Sequence, residues 1–402
     1  MSTTENPQGF DSERSDFEDA ELCNIWTPIE ISGSVLRNRI VCSPISVNMA
    51  NADGTVTPEV VNFYSLMART GVGMVTIGAT AVSPEGGSTD HGLHVGPSHF
   101  EPGLRRLARS VKSTGALASL QIFHVGAQGN TYYTGQPVVG PSTYICPDIG
   151  IPARELTISE IEKLEDQFVN AILSGLRCGF DFVELHVAHG YLLHEFISPF
   201  FNRRCDEYGG DEIGRFRIIY NIIDKLNTRD SGAMRSVGAR ISGGDFVSAG
   251  MNIESNRPLI NLFDRNRSAY WVVSAGIYET AKQKYIHMKR GDYWNYAAEL
   301  KAITDTPVIA QGGIRDLNVG EKILRLGMSD MVGMAQALIA DSGLIKKTSE
   351  KREIDVVACV ECGRCRYVKR KDLTFACVLP TSDFYQPNLE HTLNNENIEH
   401  AE

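Results

Sequence analysis

Eight short apolar runs, each about the length of a strand, alternate with longer segments of helical period. This repetition constrains the fold more than any other feature of the chain. The runs are Ile40 to Ser43, Met74 to Ala79, Leu117 to Phe123, Phe182 to His186, Val237 to Ile241, Tyr270 to Ser274, Val308 to Gln311 and Met331 to Met334. Short runs without strict polar–apolar alternation read as strands covered on both faces, the pattern of parallel sheets. The intervening segments carry helix signals. Pro58 stands at the favoured first helical position ahead of Glu59 to Thr70. Ser159 with Glu162 predicts a capping box at the start of Ile161 to Leu176. Leu317 to Leu326 and Ala337 to Ile345 are two more helical segments. Eight strand–helix units predict an α/β fold, a (β/α)8 TIM barrel. An open doubly wound sheet would carry GxGxxG after its first strand, and this sequence does not.

In such a barrel, ligands sit at the C-terminal ends of the strands. The fourth run ends in His186, His189 and Tyr191, three proton-handling side chains within six residues. A neutral imidazole donates a hydrogen bond near pH 7, and a phenol can give up a proton. Together they suit an oxygen that gains negative charge beside a carbon that must be protonated. Spacing alone leaves a zinc pair and two structural histidines open as other readings. The remaining strand ends offer Ser43, Pro44 and Ser46 after the first, Ala79 after the second and Gln121 in the third. Arg240 lies in the fifth, Gly312 and Gly313 follow the seventh, and Ala335 and Gln336 follow the eighth.

A net charge of −10 argues against nucleic acid as the main partner. No apolar run is long enough to cross a membrane. The first 21 residues are acidic and lack the apolar core of a secretory signal, so they read as a disordered tail. Nine cysteines, with four in one short segment, favour free thiols and a metal site over a disulfide framework. A reducing, cytoplasmic location is therefore expected.

That segment reads CVECGRCRYVKRKDLTFAC, with Cys359, Cys362 and Cys365 at CxxCxxC spacing and Cys377 further on. Three clustered thiolates and a distant fourth suit a 4Fe-4S cluster, and a four-cysteine zinc site is the alternative. Nine basic side chains against four acids in residues 346–371 give a solvated face, a counter-charge for a cluster, or a dock for an acidic carrier. The expected division is a barrel over 22–350, a Cys-rich extension over 351–382 and a tail over 383–402.

The stretch HVAHGYLLHEFISPFFNRRCDEYGG closely resembles the active-site strand and loop of the old yellow enzyme family of FMN-dependent oxidoreductases. The resemblance covers roughly residues 22 to 380. It implies that His186 and His189 bind the substrate's activating oxygen and that Tyr191 donates the proton. It also implies FMN at the mouth: backbone of Ser43, Pro44, Ser46 and Ala79, Gln121 at the pyrimidine ring, and Arg240 near N1. The phosphate would lie by Gly312, Gly313, Ala335 and Gln336. Asn202, Arg204, Asp206 and Tyr208 resemble loop-folding residues. Ser46 stands where one relative has a cysteine bonded to FMN, so the flavin here is expected to be non-covalent. Gln336 stands where relatives present Arg, and Arg315 is a nearby substitute. The cysteine segment resembles the 4Fe-4S region that follows the barrel in trimethylamine dehydrogenase and 2,4-dienoyl-CoA reductase.

The implied activity is reduction of an α,β-unsaturated carbonyl compound by reduced flavin, with NAD(P)H as reductant. One alternative is an FMN/4Fe-4S dehydrogenase that oxidises an amine, alcohol or saturated precursor. No second nucleotide-binding region is expected after Pro380, so its electrons would pass to a separate protein. Another alternative is a non-catalytic barrel subunit. The expected partners are a small-molecule substrate and this electron carrier, and a homo-oligomer is compatible with the sequence.

Overall fold

The computed structural model describes residues 22–280, 292–366 and 375–386. The acidic tail expected over 1–21 and most of the C-terminal tail lie outside them. Eight parallel strands close on themselves: β1 (Ile40–Cys42), β2 (Met74–Ala81), β3 (Leu117–Phe123), β4 (Phe182–Val187), β5 (Val237–Ser242), β6 (Trp271–Ser274), β7 (Val308–Gln311) and β8 (Met331–Met334). Each strand pairs with its sequence neighbours, and β8 pairs with β1. The expected TIM barrel is therefore the observed architecture. Among the described residues no helix is long and apolar enough to cross a membrane.

The helices α1 (Pro58–Arg69), α2 (Glu101–Lys112), α3 (Ile158–Arg177), α4 (Glu212–Arg229), α5 (Arg257–Arg265), α6 (Asp292–Lys301) and α7 (Leu317–Arg325) follow strands β1 to β7 in turn. Strand side chains alternate, so Val183, Leu185 and Val187 of β4 join the main apolar core with helical residues such as Phe168 and Ile222. Glu184 and His186 occupy the other face of the same strand. At the N-terminal end, Val41, Met74, Phe182 and Met331 form a separate buried cluster with Ile31 and Leu36 of an antiparallel hairpin, Ile29–Ile31 with Ser34–Leu36. This plug closes the bottom of the barrel and leaves function to the other end.

Two sequence expectations shift. The cap of α3 is Thr157, not Ser159: its side chain accepts from Glu160 N, and the Glu160 carboxylate accepts from Thr157 N. The extended backbone of Thr157 makes this reciprocal pairing available two residues earlier. The helix expected over Ala337 to Ile345 is two, Gln336–Ala340 and Leu344–Ser349. Asp341 interrupts it with an extended backbone, and its carboxylate takes Gly343 N (3.0 Å), Val357 N (2.9 Å) and Lys347 Nζ (2.6 Å).

Candidate active site at the barrel mouth

The register of β4 against β5 places His186 beside Arg240 at the C-terminal end of the barrel. Beyond Val187 the chain turns sharply, with φ +62° at His189 and +75° at Gly190. The left-handed backbone costs a residue with a Cβ something, so surrounding contacts must hold it. The Gln128 amide does so by donating to His189 O at 3.0 Å. The turn sets the His189 ring against His186, with Nδ1 3.1 Å from His186 Nε2. On its other side, His189 Nε2 lies 2.5 Å from Ser274 Oγ, at the end of β6. Tyr191 stacks edge-on to His186, with ring centroids 4.8 Å apart, and its hydroxyl lies 3.5 Å from that of Tyr278.

The polar contacts continue across the mouth. Arg240 Nη2 donates to Ser274 Oγ at 3.3 Å. Gln311, at the end of β7, accepts from Arg240 Nε at 3.1 Å and donates to Ser43 Oγ at 3.2 Å. Side chains from the ends of β1, β7, β5, β6 and β4 thus form one hydrogen-bonded chain: Ser43, Gln311, Arg240, Ser274, His189, His186. One layer below, the Gln121 amide donates to Glu184 Oε1 at 2.6 Å, and the Tyr270 hydroxyl donates to Glu184 Oε2 at 3.2 Å.

Electrostatics follow from burial. His186 is held well below the usual imidazole range, first by burial, then by Arg240 and His194. It is therefore neutral at physiological pH, so it has one N–H to donate and one lone pair to offer. Burial raises Glu184, against the pull of Arg240 and its hydrogen bonds. Burial also lowers Arg240, which keeps its charge because a guanidinium does not deprotonate in proteins.

Around this chain lie the other residues the sequence singled out. Ser46 Oγ accepts from Ala79 N at 3.3 Å, so the first and second loops meet. Tyr64 of α1 braces both, donating to Ile45 O (2.7 Å) and accepting from Gly78 N (3.0 Å). Pro44 is half-buried in the first loop. Gly312 and Gly313 have φ +98° and +68°, and Trp294 Nε1 donates to Gly312 O at 2.8 Å. Ala335 leads into the short helix Gln336–Ala340. These groups fit a flavin mononucleotide. A fixed, half-buried guanidinium suits the ring's electron-rich edge, and left-handed glycines let backbone approach a phosphate. Arg315 is the arginine of the seventh loop, close in sequence to Gly312 and Gly313. It forms an ion pair with Glu361, which ties the seventh loop to the cysteine segment.

A family model described as NADH:flavin oxidoreductase / NADH oxidase matches residues 24–355. The chain belongs to that family, the old yellow enzyme family. It is 35% identical over 344 residues to an NADH oxidase of Thermoanaerobacter brockii, a match that covers 85% of this chain and 53% of the relative. It therefore spans about half the length of that relative. An NADPH dehydrogenase of Bacillus subtilis is 27% identical, with 85% of this chain and 98% of the relative covered. Among solved structures, a 2-naphthoyl-CoA reductase complex superposes with a TM-score of 0.83 at 24% identity, covering 93% of this chain and 58% of that one. An old yellow enzyme homologue from Zymomonas mobilis has a TM-score of 0.74 at 19% identity, covering 90% of this chain and all of its own. These two likenesses concern the fold.

In this family member the cysteine segment docks on α1: Phe375 and Phe384 each pack on Phe63 at centroid distances of 4.8 Å. Its thiols sense one another. Cys365 is pushed up to about 12, by burial and then by the charges of Cys359, Cys362 and Cys377. Cys359 is pushed up to about 11, by burial and then by Cys362 and Cys377. Among the described residues, no three His, Cys, Asp or Glu side chains converge to metal-binding distance. Residues 367–374, between Cys365 and Cys377, lie outside those described.

Sequence reasoning missed Ser274, Tyr278 and the bridging role of Gln311. All three belong to strand ends or the loops after them, so the barrel rule would have found them had every strand end been weighed alike.

Proposed function

We propose that the mouth binds FMN non-covalently and that the protein uses NAD(P)H to reduce an α,β-unsaturated carbonyl compound. The carrying observation is the hydrogen-bonded chain that runs from Arg240 to the two imidazoles, with Tyr191 against His186. Arg240 would hold the flavin near N1, and Gln121 its pyrimidine side. Backbone of Ser43, Pro44, Ser46 and Ala79 would support the ring, with Gly312, Gly313, Ala335 and Gln336 around the phosphate. Bound FMN, once reduced, would supply a hydride, which carries both electrons of the reduction. His186 and His189 hold the substrate's carbonyl oxygen, and their N–H groups stabilise charge that builds there as an enolate forms. Tyr191 then gives a proton to the α-carbon. Ser46 has no thiol with which to attach a flavin.

The test is Tyr191→Phe in stopped flow. A positioned general acid contributes about 10²- to 10⁴-fold. Substrate reduction should slow by that order while flavin reduction by NADPH keeps its wild-type rate. Equal rates for wild type and variant in the substrate half-reaction would remove Tyr191 from the mechanism.

The CxxCxxC spacing of Cys359, Cys362 and Cys365, with Cys377 further on, favours a second element in the reading. Cys359, Cys362, Cys365 and Cys377 hold a 4Fe-4S cluster, which would let the same mouth work as a dehydrogenase feeding a separate electron carrier. Iron and sulfide analysis of protein purified without oxygen tests this. Stoichiometric zinc without iron would overturn it.

A further inference from the structure

The hydroxyl of Ser274 sits between a group that can only donate and a group that can do either. Its two hydrogen-bond partners are Arg240 Nη2 at 3.3 Å and His189 Nε2 at 2.5 Å. A guanidinium has no lone pair to offer, so Arg240 donates and Ser274 Oγ accepts. Among the described residues, the serine's single proton then has one acceptor within reach, His189 Nε2. If it goes there, the His189 proton must sit on Nδ1, which faces His186 Nε2 at 3.1 Å. His186 Nε2 then accepts, and the His186 proton sits on Nδ1. That buried nitrogen has no hydrogen-bond partner among the described residues, so one buried donor is left unsatisfied.

The opposite polarity is worse. With the protons on His186 Nε2 and His189 Nε2, Ser274 Oγ would accept twice. Its own proton would have no acceptor, and the His186 Nδ1 lone pair would also be unsatisfied. Each buried polar group left unmade costs on the order of 1–3 kcal/mol. The first arrangement leaves one such group and the second leaves two. Ser274 is 6% exposed and His186 is 3% exposed, so solvent does not erase the difference.

We propose that Ser274 is a positioning residue that fixes the tautomer of His189, holding its proton on Nδ1, the nitrogen that faces His186. This deepens the reading of the mouth as a carbonyl site and rests on it for the oxygen's identity. The tautomer itself does not depend on that reading. Two consequences follow. His189 is the donor already set before substrate arrives, whereas His186 becomes a second donor only by moving its proton from Nδ1 to Nε2. And Arg240, proposed to touch the flavin, is one hydroxyl away from the group that holds the substrate, so the two sites share a hydrogen-bonded link.

The experiment is ¹⁵N NMR of the flavin-loaded protein labelled at histidine, with His189 assigned from a His189→Gln sample. The wild type should show His189 protonated on Nδ1 and unprotonated on Nε2. Ser274→Ala should convert that signal to a mixture of tautomers, and Ser274→Thr, which keeps the hydroxyl, should restore it. Retained flavin absorbance shows that each variant is folded. With a conjugated ketone as substrate, Ser274→Ala should raise KM by about 5- to 10-fold, the scale of one neutral hydrogen bond. A His189 proton found on Nε2 in the wild type would overturn the proposal, as would an unchanged tautomer in Ser274→Ala. Both outcomes would leave the Tyr191 test untouched.

Discussion

The barrel mouth is assembled from strand ends and the loops after them, the cysteine segment from the chain that follows the helix Leu344–Ser349, and the two are held in different ways. At the mouth, side chains from five strands hydrogen-bond to one another directly, with the central His186 imidazole buried and the Arg240 guanidinium half-buried. The protein completes this site by itself. The cysteine segment is anchored at its edges, by Phe375 and Phe384 on Phe63, by the Arg315–Glu361 pair and by Thr381 donating to Ala340 O at 2.8 Å. Its thiols at the centre are not bonded to each other. A preorganised site places its groups before the ligand arrives. Metal binding to thiolate ligands couples the ordering of a segment to the metal it takes.

That contrast can be broken by mutation. The largest effect expected in the fold itself comes from Phe63→Ala. A buried aromatic lost from a packed cluster costs about 3–5 kcal/mol. Thermal unfolding should fall accordingly, and the cysteine segment should become sensitive to limited proteolysis while FMN still binds. Loss of FMN at the same substitution would show that the two regions are one unit. Next is Arg240→Met, which removes a charge-assisted contact of about 1.5–3 kcal/mol, or roughly 10- to 150-fold in FMN affinity by fluorescence titration. The cysteine segment's metal content should not change. Cys365→Ser sharpens the comparison from the other side: iron content should drop several-fold at an unchanged FMN dissociation constant.

The smallest effect is one of pH. His186 is held well below the ordinary imidazole value, so it is neutral on both sides of about pH 6.5. A protonated His186 would hold a carbonyl oxygen more tightly, and affinity would then rise as pH falls. Because its proton is not taken up in that range, affinity for a neutral conjugated ketone should stay flat there as far as His186 is concerned. An acid-side rise that His186→Ala abolishes would contradict this. The same shift carries a stability consequence. The unfolded chain binds a proton on His186 near pH 6.5 that the folded one refuses, so its contribution to stability is present above that pH and is lost as pH falls below it.

Much of the barrel was legible because its signal is local. Strand runs such as Leu117–Phe123 and Val308–Gln311 appear in the structure with the bounds read from the sequence. Helix ends were harder, since Thr157 and Ser159 both offer a hydroxyl and only backbone geometry separates them. The break at Asp341 was invisible because it depends on Val357 and Lys347 arriving from further along the chain. At the mouth, His186, His189 and Tyr191 announced themselves by clustering within six residues. Ser274 did not, because a serine that ends an apolar strand looks like any other until its two partners are in place. The Arg315–Glu361 pair was hidden for a related reason: its two members are distant in sequence.

The most direct measurement of the account is the visible absorption spectrum of protein purified without oxygen, followed by acid precipitation. The account predicts a flavin band in the native protein and a yellow supernatant over a colourless pellet. Protein that stays colourless when FMN is supplied, or a pellet that keeps the colour, would contradict it.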